Sequence, residues 1–153
     1  MHRLPEIMCI AGPNGSGKST ITSMILPYVH GKYINADEIR RATYCSALEA
    51  AQEAERLREE ALEAGQEFSF ETVLSTERNL NLLQRAKAQG YFIRCVFVLT
   101  CNPNINVERV KDRVKAGGHD VPQEKIVSRY FKSLAMIKEL KKVCDRLSIY
   151  DNS

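Results

Sequence analysis

The chain has 153 residues, 44% hydrophobic and 27% charged, with a formal net charge of +3. This is the composition of one soluble globular domain, and it argues against global disorder. The longest strongly apolar stretch, Cys95 to Cys101, falls far short of the ~20 residues of a spanning helix, no long apolar run follows Met1-His2-Arg3 to make a secretory signal, and the net charge is too mild to indicate nucleic acid.

Glu6-Ile-Met-Cys-Ile-Ala11, bounded by Gly12 and Pro13, predicts a buried strand. A glycine-rich turn follows, then a helix from Lys18 to about Val29, ended by His30-Gly31. Tyr33 to Asn35 predict a short second strand. From about Tyr44 to Ala64 strong helix formers dominate. Leu48, Ala51, Ala54, Leu57 and Ala61 recur every three or four positions there, as on one face of an amphipathic helix that Gly65 stops. Phe68 to Val73 predict a third strand, and Asn79 to Gln89 a helix closed by Gly90. Tyr91 to Thr100 is the clearest strand of the chain. A helical pattern resumes at Val107 to Lys115 and breaks at Gly117-Gly118. It returns from about Gln123 to Lys142, with Pro122 near the first turn. Arg146 to Tyr150 predict a last strand. Strands alternating with helices indicate an α/β protein with a mainly parallel sheet and right-handed crossovers. Nothing divides the chain, so residues 1–153 are expected to form one domain.

The five cysteines are odd in number and include no CxxC pair; neither a disulfide framework nor a zinc site is expected. They read as reduced thiols in a cytoplasmic protein, with Cys9 and Cys95 in the core. Charge is uneven. Residues 37–71 hold ten acidic and four basic side chains, and residues 109–142 ten basic and four acidic. These read as two solvated helix faces; the alternative is that some side chains of the basic stretch meet phosphate.

Gly12-Pro-Asn-Gly-Ser-Gly17-Lys18-Ser19 matches GxxxxGK[ST] between a predicted strand and a predicted helix, the context that marks a phosphate-binding loop. The cradle comprises Gly12, Pro13, Asn14, Gly15, Ser16, Gly17, Lys18, Ser19 and Thr20. Its glycines permit backbone angles at which successive N–H groups point inward, and the helix adds its positive end. Lys18 brings a point charge to the β- and γ-phosphates of ATP, Ser19 is placed to hold Mg²⁺, and Thr20 to contact the α-phosphate.

The strand Val96 to Thr100 ends without the carboxylate that switch, motor and transporter ATPases use for the metal. The LSGGQ-like signature of transporter ATPases and the NKxD motif of regulatory GTPases are both absent. These gaps move the reading toward the small P-loop kinases. Asp37 and Glu71 follow early strands, on the sheet edge that carries the glycine loop. A kinase acting on a hydroxyl needs a carboxylate to orient it and take its proton. Asp37 is the candidate, with helix N-cap as its alternative role. Glu71 is a candidate for binding acceptor hydroxyls or a metal-bound water, and Thr72 offers a further hydroxyl. Arg109, Arg113 and Arg129 are candidates to neutralise the transferring phosphate. The helices around Gly117-Gly118 have the makings of a lid over about residues 105–142.

Four blocks resemble the zeta-toxin-like P-loop kinases: Gly12 to Thr20; Asn35-Ala36-Asp37-Glu38-Ile39; Phe70-Glu71-Thr72-Val73-Leu74-Ser75; and Arg109 to Leu134. The last is the most diagnostic, with Arg113-Val-Lys-Ala-Gly-Gly-His-Asp-Val-Pro122, Lys125-Ile126, Arg129-Tyr130 and Ser133-Leu134. Asp151-Asn152-Ser153 also look like the residues after the last core strand in that group. The resemblance implies a P-loop NTPase three-layer sandwich with a mainly parallel five-stranded sheet and a helical lid. It implies an ATP- and Mg²⁺-dependent kinase whose acceptor is a UDP-N-acetylamino sugar, and an antitoxin protein as a partner, with no nucleic-acid or membrane partner. Carried over, Lys18 and Ser19 serve ATP and Mg²⁺, and Asp37 is the general base. Glu71 and Thr72 face the acceptor, Arg113 and Arg129 neutralise the transferred group, and His119 helps to position the lid. A nucleoside or other small-molecule kinase, or a non-catalytic ATP-binding module, are the alternatives. The chain is smaller than well-described zeta toxins and stops directly after the last predicted strand, where such kinases usually continue into a helix; a C-terminal truncation is one expectation.

Overall fold

Ile7, Cys9 and Ala11 alternate with Met8 and Ile10, and all five are buried. A strand buried on both faces belongs inside a sheet covered by helices. In the computed structural model, which describes residues 3–153, this strand, β1 (Glu6–Ala11), is the central one of five. Met1 and His2 of the start segment lie outside the described residues. The order is β2 (Lys32–Ile34), β3 (Phe68–Thr72), β1, β4 (Phe92–Leu99) and β5 (Arg146–Asp151), and every neighbouring pair is parallel. The chain leaves β1 toward β2 and β3 on one side, then crosses to β4 and β5 on the other. The C-terminal end of β1 is therefore the topological switch point, where α/β sheets open a crevice.

Among the described residues seven α-helices connect the strands: α1 (Lys18–Ile25), α2 (Ala36–Thr43), α3 (Ala47–Glu63), α4 (Arg78–Ala88), α5 (Pro103–Lys115), α6 (Gln123–Ala135) and α7 (Ile137–Val143). Ile7, Cys9, Phe68, Phe70, Ile93, Cys95 and Phe97 form the main core with Ala54, Leu62, Leu80, Leu83 and Leu140 from α3, α4 and α7. Cys9 and Cys95 pair across β1 and β4, and all five cysteines are free thiols. Among the described residues no helix is long and apolar enough to cross a membrane.

The elements depart from the sequence expectation where a local signal outweighs periodicity. The first helix closes at Ile25 and tightens into a 3₁₀ turn, Leu26–Tyr28, because Pro27 has no N–H to continue the α ladder. The helix expected from Tyr44 to Ala64 starts only at Ala47, capped by the Ser46 hydroxyl on the Glu49 amide at 3.1 Å. Tyr44 instead ends α2, in the left-handed region with φ 55°. The fifth helix starts earlier than Val107: Asn102 caps it and Pro103 opens it, an N-cap–proline pair that hydrophobic spacing does not register. The expected helix from Gln123 to Lys142 is two, interrupted at Met136, whose amide donates to Ser133 O rather than one residue further back.

The stretch expected to act as a lid has two attachments. Val107, Val110, Val121 and Ile126 make a small cluster of their own between α5 and α6. Leu134, Met136, Ile137, Leu140 and Val143 instead pack on the main core.

Phe97 is fully buried between β1 and β5. Phe97→Ala is expected to cost about 3–5 kcal/mol of stability. This would be read from the urea midpoint at an unchanged denaturant slope.

Candidate active site

The parallel register brings five strand ends to one edge. Ile10 is level with Glu71 and Ala11 with Thr72, so the carboxylate of β3 flanks the loop that leaves β1. Gly15 and Gly17 take φ values of 77° and 97°, in the region that glycine alone enters freely. A Cβ at either would also collide, with the backbone of Asn106 and with the Asn152 carboxamide respectively.

The loop is braced from outside through its carbonyls. Asn106 Nδ2 donates to Asn14 O at 2.9 Å, and Asn152 Nδ2 and Arg109 donate to Ser16 O at 2.9 and 3.3 Å. Arg109 also holds Asn152 O at 2.6 Å, and Arg129 reaches Asn14 Oδ1 at 3.3 Å. Among the described residues, the amides of Gly15, Gly17, Lys18 and Ser19 donate to no protein acceptor. No side chain caps α1, and no acidic residue occupies its first turn. A run of free amides at an uncompensated helix N-terminus is an anion site.

Lys18 Nζ donates to Gly12 O at 2.6 Å and Pro13 O at 3.0 Å. Burial lowers its pKa to about 8; Arg113 pushes in the same direction, while Glu71 and Asp37 oppose it. These groups all border one cavity of about 440 Å³, together with Asn14, Gly15, Gly17, Ser19, Thr72, Arg109, His119 and Arg129. The expected site residues are thus largely brought together. Gly12, Pro13 and Ser16 are instead buried beneath the loop, and Thr20 is exposed on α1 without bordering the cavity. Ser16 Oγ is buried without a partner.

Asp37 is not the N-cap of α2. Asn35 is: its Oδ1 accepts from Asp37 N at 2.7 Å and Glu38 N at 3.4 Å. That leaves the Asp37 carboxylate exposed and without a hydrogen bond among the described residues. The other end of Asn35 points to β3, with Nδ2 donating to Glu71 Oε2 at 3.0 Å and to Tyr33 Oη at 2.7 Å. Tyr33 Oη in turn donates to Glu71 Oε2 at 2.6 Å, and burial with this bond keeps the phenol protonated. One carboxamide therefore holds the Glu71 carboxylate and the backbone amide of Asp37. From the sequence the cap role was offered to Asp37; the spacing of Asn35 three residues before Glu38 is the signal that points to Asn35 instead, while Tyr33 and Asn106 carried no local signal and Asn152 was marked only by the family resemblance. Thr72 Oγ1 accepts from Leu74 N and Asn79 Nδ2, both at 3.0 Å, leaving its hydrogen to give. Arg113 Nε donates to His119 O at 3.2 Å.

The donor set fits a nucleotide polyphosphate: free amides, a helix end and an ammonium with no carboxylate bonded to it. Among the described residues no three His, Cys, Asp or Glu could by themselves hold a metal. Ser19 borders the cavity with Asp37 and Glu71, and its hydroxyl would suit Mg²⁺, which takes most of its ligands from phosphate and water.

A model of the Zeta toxin family matches residues 2–153. An uncharacterized protein of Haemophilus influenzae is 29% identical over 127 residues, covering 78% of this chain and 88% of that one. Among solved structures, one of the PezAT chromosomal toxin–antitoxin system of Streptococcus pneumoniae superposes at a TM-score of 0.68 with 20% identity, covering 99% of this chain and 71% of that one. A chain of the Pnkp1/Rnl/Hen1 RNA repair complex gives 0.71 with 15% identity over 91% of this chain; only 47% of that chain is covered, so this protein spans about half its length. A gluconokinase from Sinorhizobium meliloti gives 0.58 with 17% identity, covering 99% of this chain and 85% of that one. At these identities the likeness establishes the fold, that of the P-loop kinases.

Two outcomes follow from the loop and its neighbours. Phosphate favours the charged form of Lys18, whose pKa is lowered to about 8. ATP affinity should then be flat below pH 8 and fall by up to about tenfold per unit above it. Binding near pH 9 should take up a proton, visible by calorimetry in buffers of different ionisation heat. Asn35→Ala removes the cap of α2 and should cost about 0.5–2 kcal/mol in thermal or urea unfolding.

Proposed function

Because the chain belongs to the zeta toxin family, we propose that it is an ATP-dependent phosphotransferase acting on a hydroxyl of a small acceptor. One observation carries the reading: a single cavity is bordered by Lys18, Ser19, Asp37, Glu71, Arg113 and Arg129. A phosphate cradle without acceptor-side carboxylates would suit binding alone.

In this reading the free loop amides and the end of α1 receive the phosphates, and Lys18 exchanges its two carbonyl partners for phosphate oxygens. Ser19 would hold Mg²⁺, which would supply charge neutralisation to the phosphates. Glu71, fixed by Tyr33 and Asn35, orients the acceptor hydroxyl, and Thr72 has one hydrogen to offer it. Asp37 accepts the hydroxyl proton as the acceptor oxygen bonds to the γ-phosphorus. The bond from that phosphorus to the β–γ bridging oxygen breaks, leaving ADP. Arg113 and Arg129 meet the charge on the group in flight. Arg109 braces the loop through Ser16 and Asn152 and does not need to touch the reacting atoms.

The family resemblance supports a UDP-N-acetylamino sugar as acceptor. A protein antitoxin that covers the cleft, and residence in the cytoplasm, belong to the same proposal.

Asp37→Asn keeps the cap and the size of the side chain but removes the base. Transfer of labelled phosphate from ATP to UDP-N-acetylglucosamine should fall about 10²–10⁴-fold while ATP still binds. Undiminished transfer in this variant would show that Asp37 is not the base.

A further inference from the structure

A second cavity, of about 690 Å³, adjoins the first and shares Ser19, Asp37, Arg113 and His119 with it. Of the cradle, Ser19 alone borders it. Its remaining wall is the end of α2 with the turn beyond, Arg40, Arg41, Tyr44 and Cys45, faced by Gly117 and Gly118. Three guanidinium groups and one carboxylate therefore border it.

Among the described residues, Arg3, Arg56, Arg78, Arg85 and Arg94 each pair with a carboxylate. Arg40 and Arg41, like Arg58, Arg109, Arg113, Arg129 and Arg146, pair with none among the described residues, although Asp37 and Glu38 are on the same helix. The helix macrodipole welcomes cations in the last turn of α2, whichever way they point. It does not account for two consecutive arginines bordering one cavity with a third from the opposite wall. Tyr44 adds an aromatic ring at the same place. It is 93% exposed and held at φ 55°, a conformation bulky residues avoid.

We infer that Arg40 and Arg41 determine acceptor specificity, by binding a phosphate or diphosphate group carried on the non-reacting part of the acceptor. The inference rests on the kinase reading, because that reading places the reacting hydroxyl at Asp37, on the wall the two cavities share. From there the donor phosphates occupy the cavity of the glycine loop. The rest of the acceptor extends under Gly117 and Gly118 toward α2. Arg is the side chain suited to this task, since its planar fork matches two phosphate oxygens at once. Tyr44 offers a flat apolar face beside that anion, on which a ring attached to the phosphate can lie. A neutral sugar would leave the guanidinium groups unanswered, so it is selected against.

Equilibrium binding tests this independently of turnover. The full chain, with the loop filled by a non-hydrolysable ATP analogue and Mg²⁺, is titrated with UDP-N-acetylglucosamine and with N-acetylglucosamine. The diphosphate compound should bind at least tenfold more tightly. In Arg40→Gln/Arg41→Gln that preference should shrink by one to two orders of magnitude, with each single change intermediate and Arg→Lys at both positions restoring part of it. A circular-dichroism melt checks that the variants fold. Equal affinity for the two compounds in the unaltered protein overturns the inference. So does an undiminished preference in a folded double variant. Phosphate transfer by the unaltered protein is scored separately. Its absence would count against the kinase reading while the binding preference still stands or falls by itself.

Discussion

The occupation of the loop carbonyls is the constraint on which the site depends. A glycine-rich loop has many conformations, and only a few of them present consecutive amides to one anion. Here Asn106, Arg109 and Asn152 take the carbonyls of Asn14 and Ser16. They come from α5 and from the residues after β5, far away in sequence. With its acceptors committed outward, the loop has its donors left for a ligand. Preorganised donors of this kind need no rearrangement when charge arrives, which is why they are effective at developing charge in a reaction. The lysine follows the same logic. Nothing acidic is bonded to it, so its bonds to Gly12 O and Pro13 O are ones that a polyphosphate can replace.

The carboxylate side depends on a second device. A three-residue strand and a short helix would hold Asp37 loosely by themselves. Asn35 removes that freedom by bonding in both directions, capping α2 with its oxygen and gripping Glu71 and Tyr33 with its nitrogen. Asp37 and Glu71 belong to different strand–helix units. Their placement is nonetheless one event, because parallel pairing of β2 with β3 sets the height at which Asn35 meets Glu71.

Part of this was open to reading along the chain. The alternation of Ile7, Cys9 and Ala11 with Met8 and Ile10 marks a strand covered on both faces, and the loop that follows it is bound by its spacing to a strand–turn–helix context. Gly65 closes α3 as expected: Gln66 N bonds to Ala61 O and Gly65 N to Leu62 O, the pattern of a left-handed helix end. The misread boundaries lie at Pro27, Tyr44, Asn102 and Met136. Hydrophobic periodicity runs through each of them, and the backbone is redirected by a missing donor, a left-handed residue, a cap or a displaced hydrogen bond.

The amino-acid order by itself determined the chemistry on offer: a nest of amides with a lysine and a serine, two carboxylates after early strands, and arginines in a late helical stretch. These are local properties, set by side-chain type and by backbone freedom over a few residues. Only the tertiary structure decided which of them meet. Asn106, Arg109 and Asn152 come to brace the loop because α5 and the end of β5 close over the strand edge. Arg40 and Arg41 face Gly117 and Gly118 because α2 and the α5–α6 turn approach the same crevice. Contacts across tens of residues are products of strand order and register, and neither is written in any short stretch of sequence.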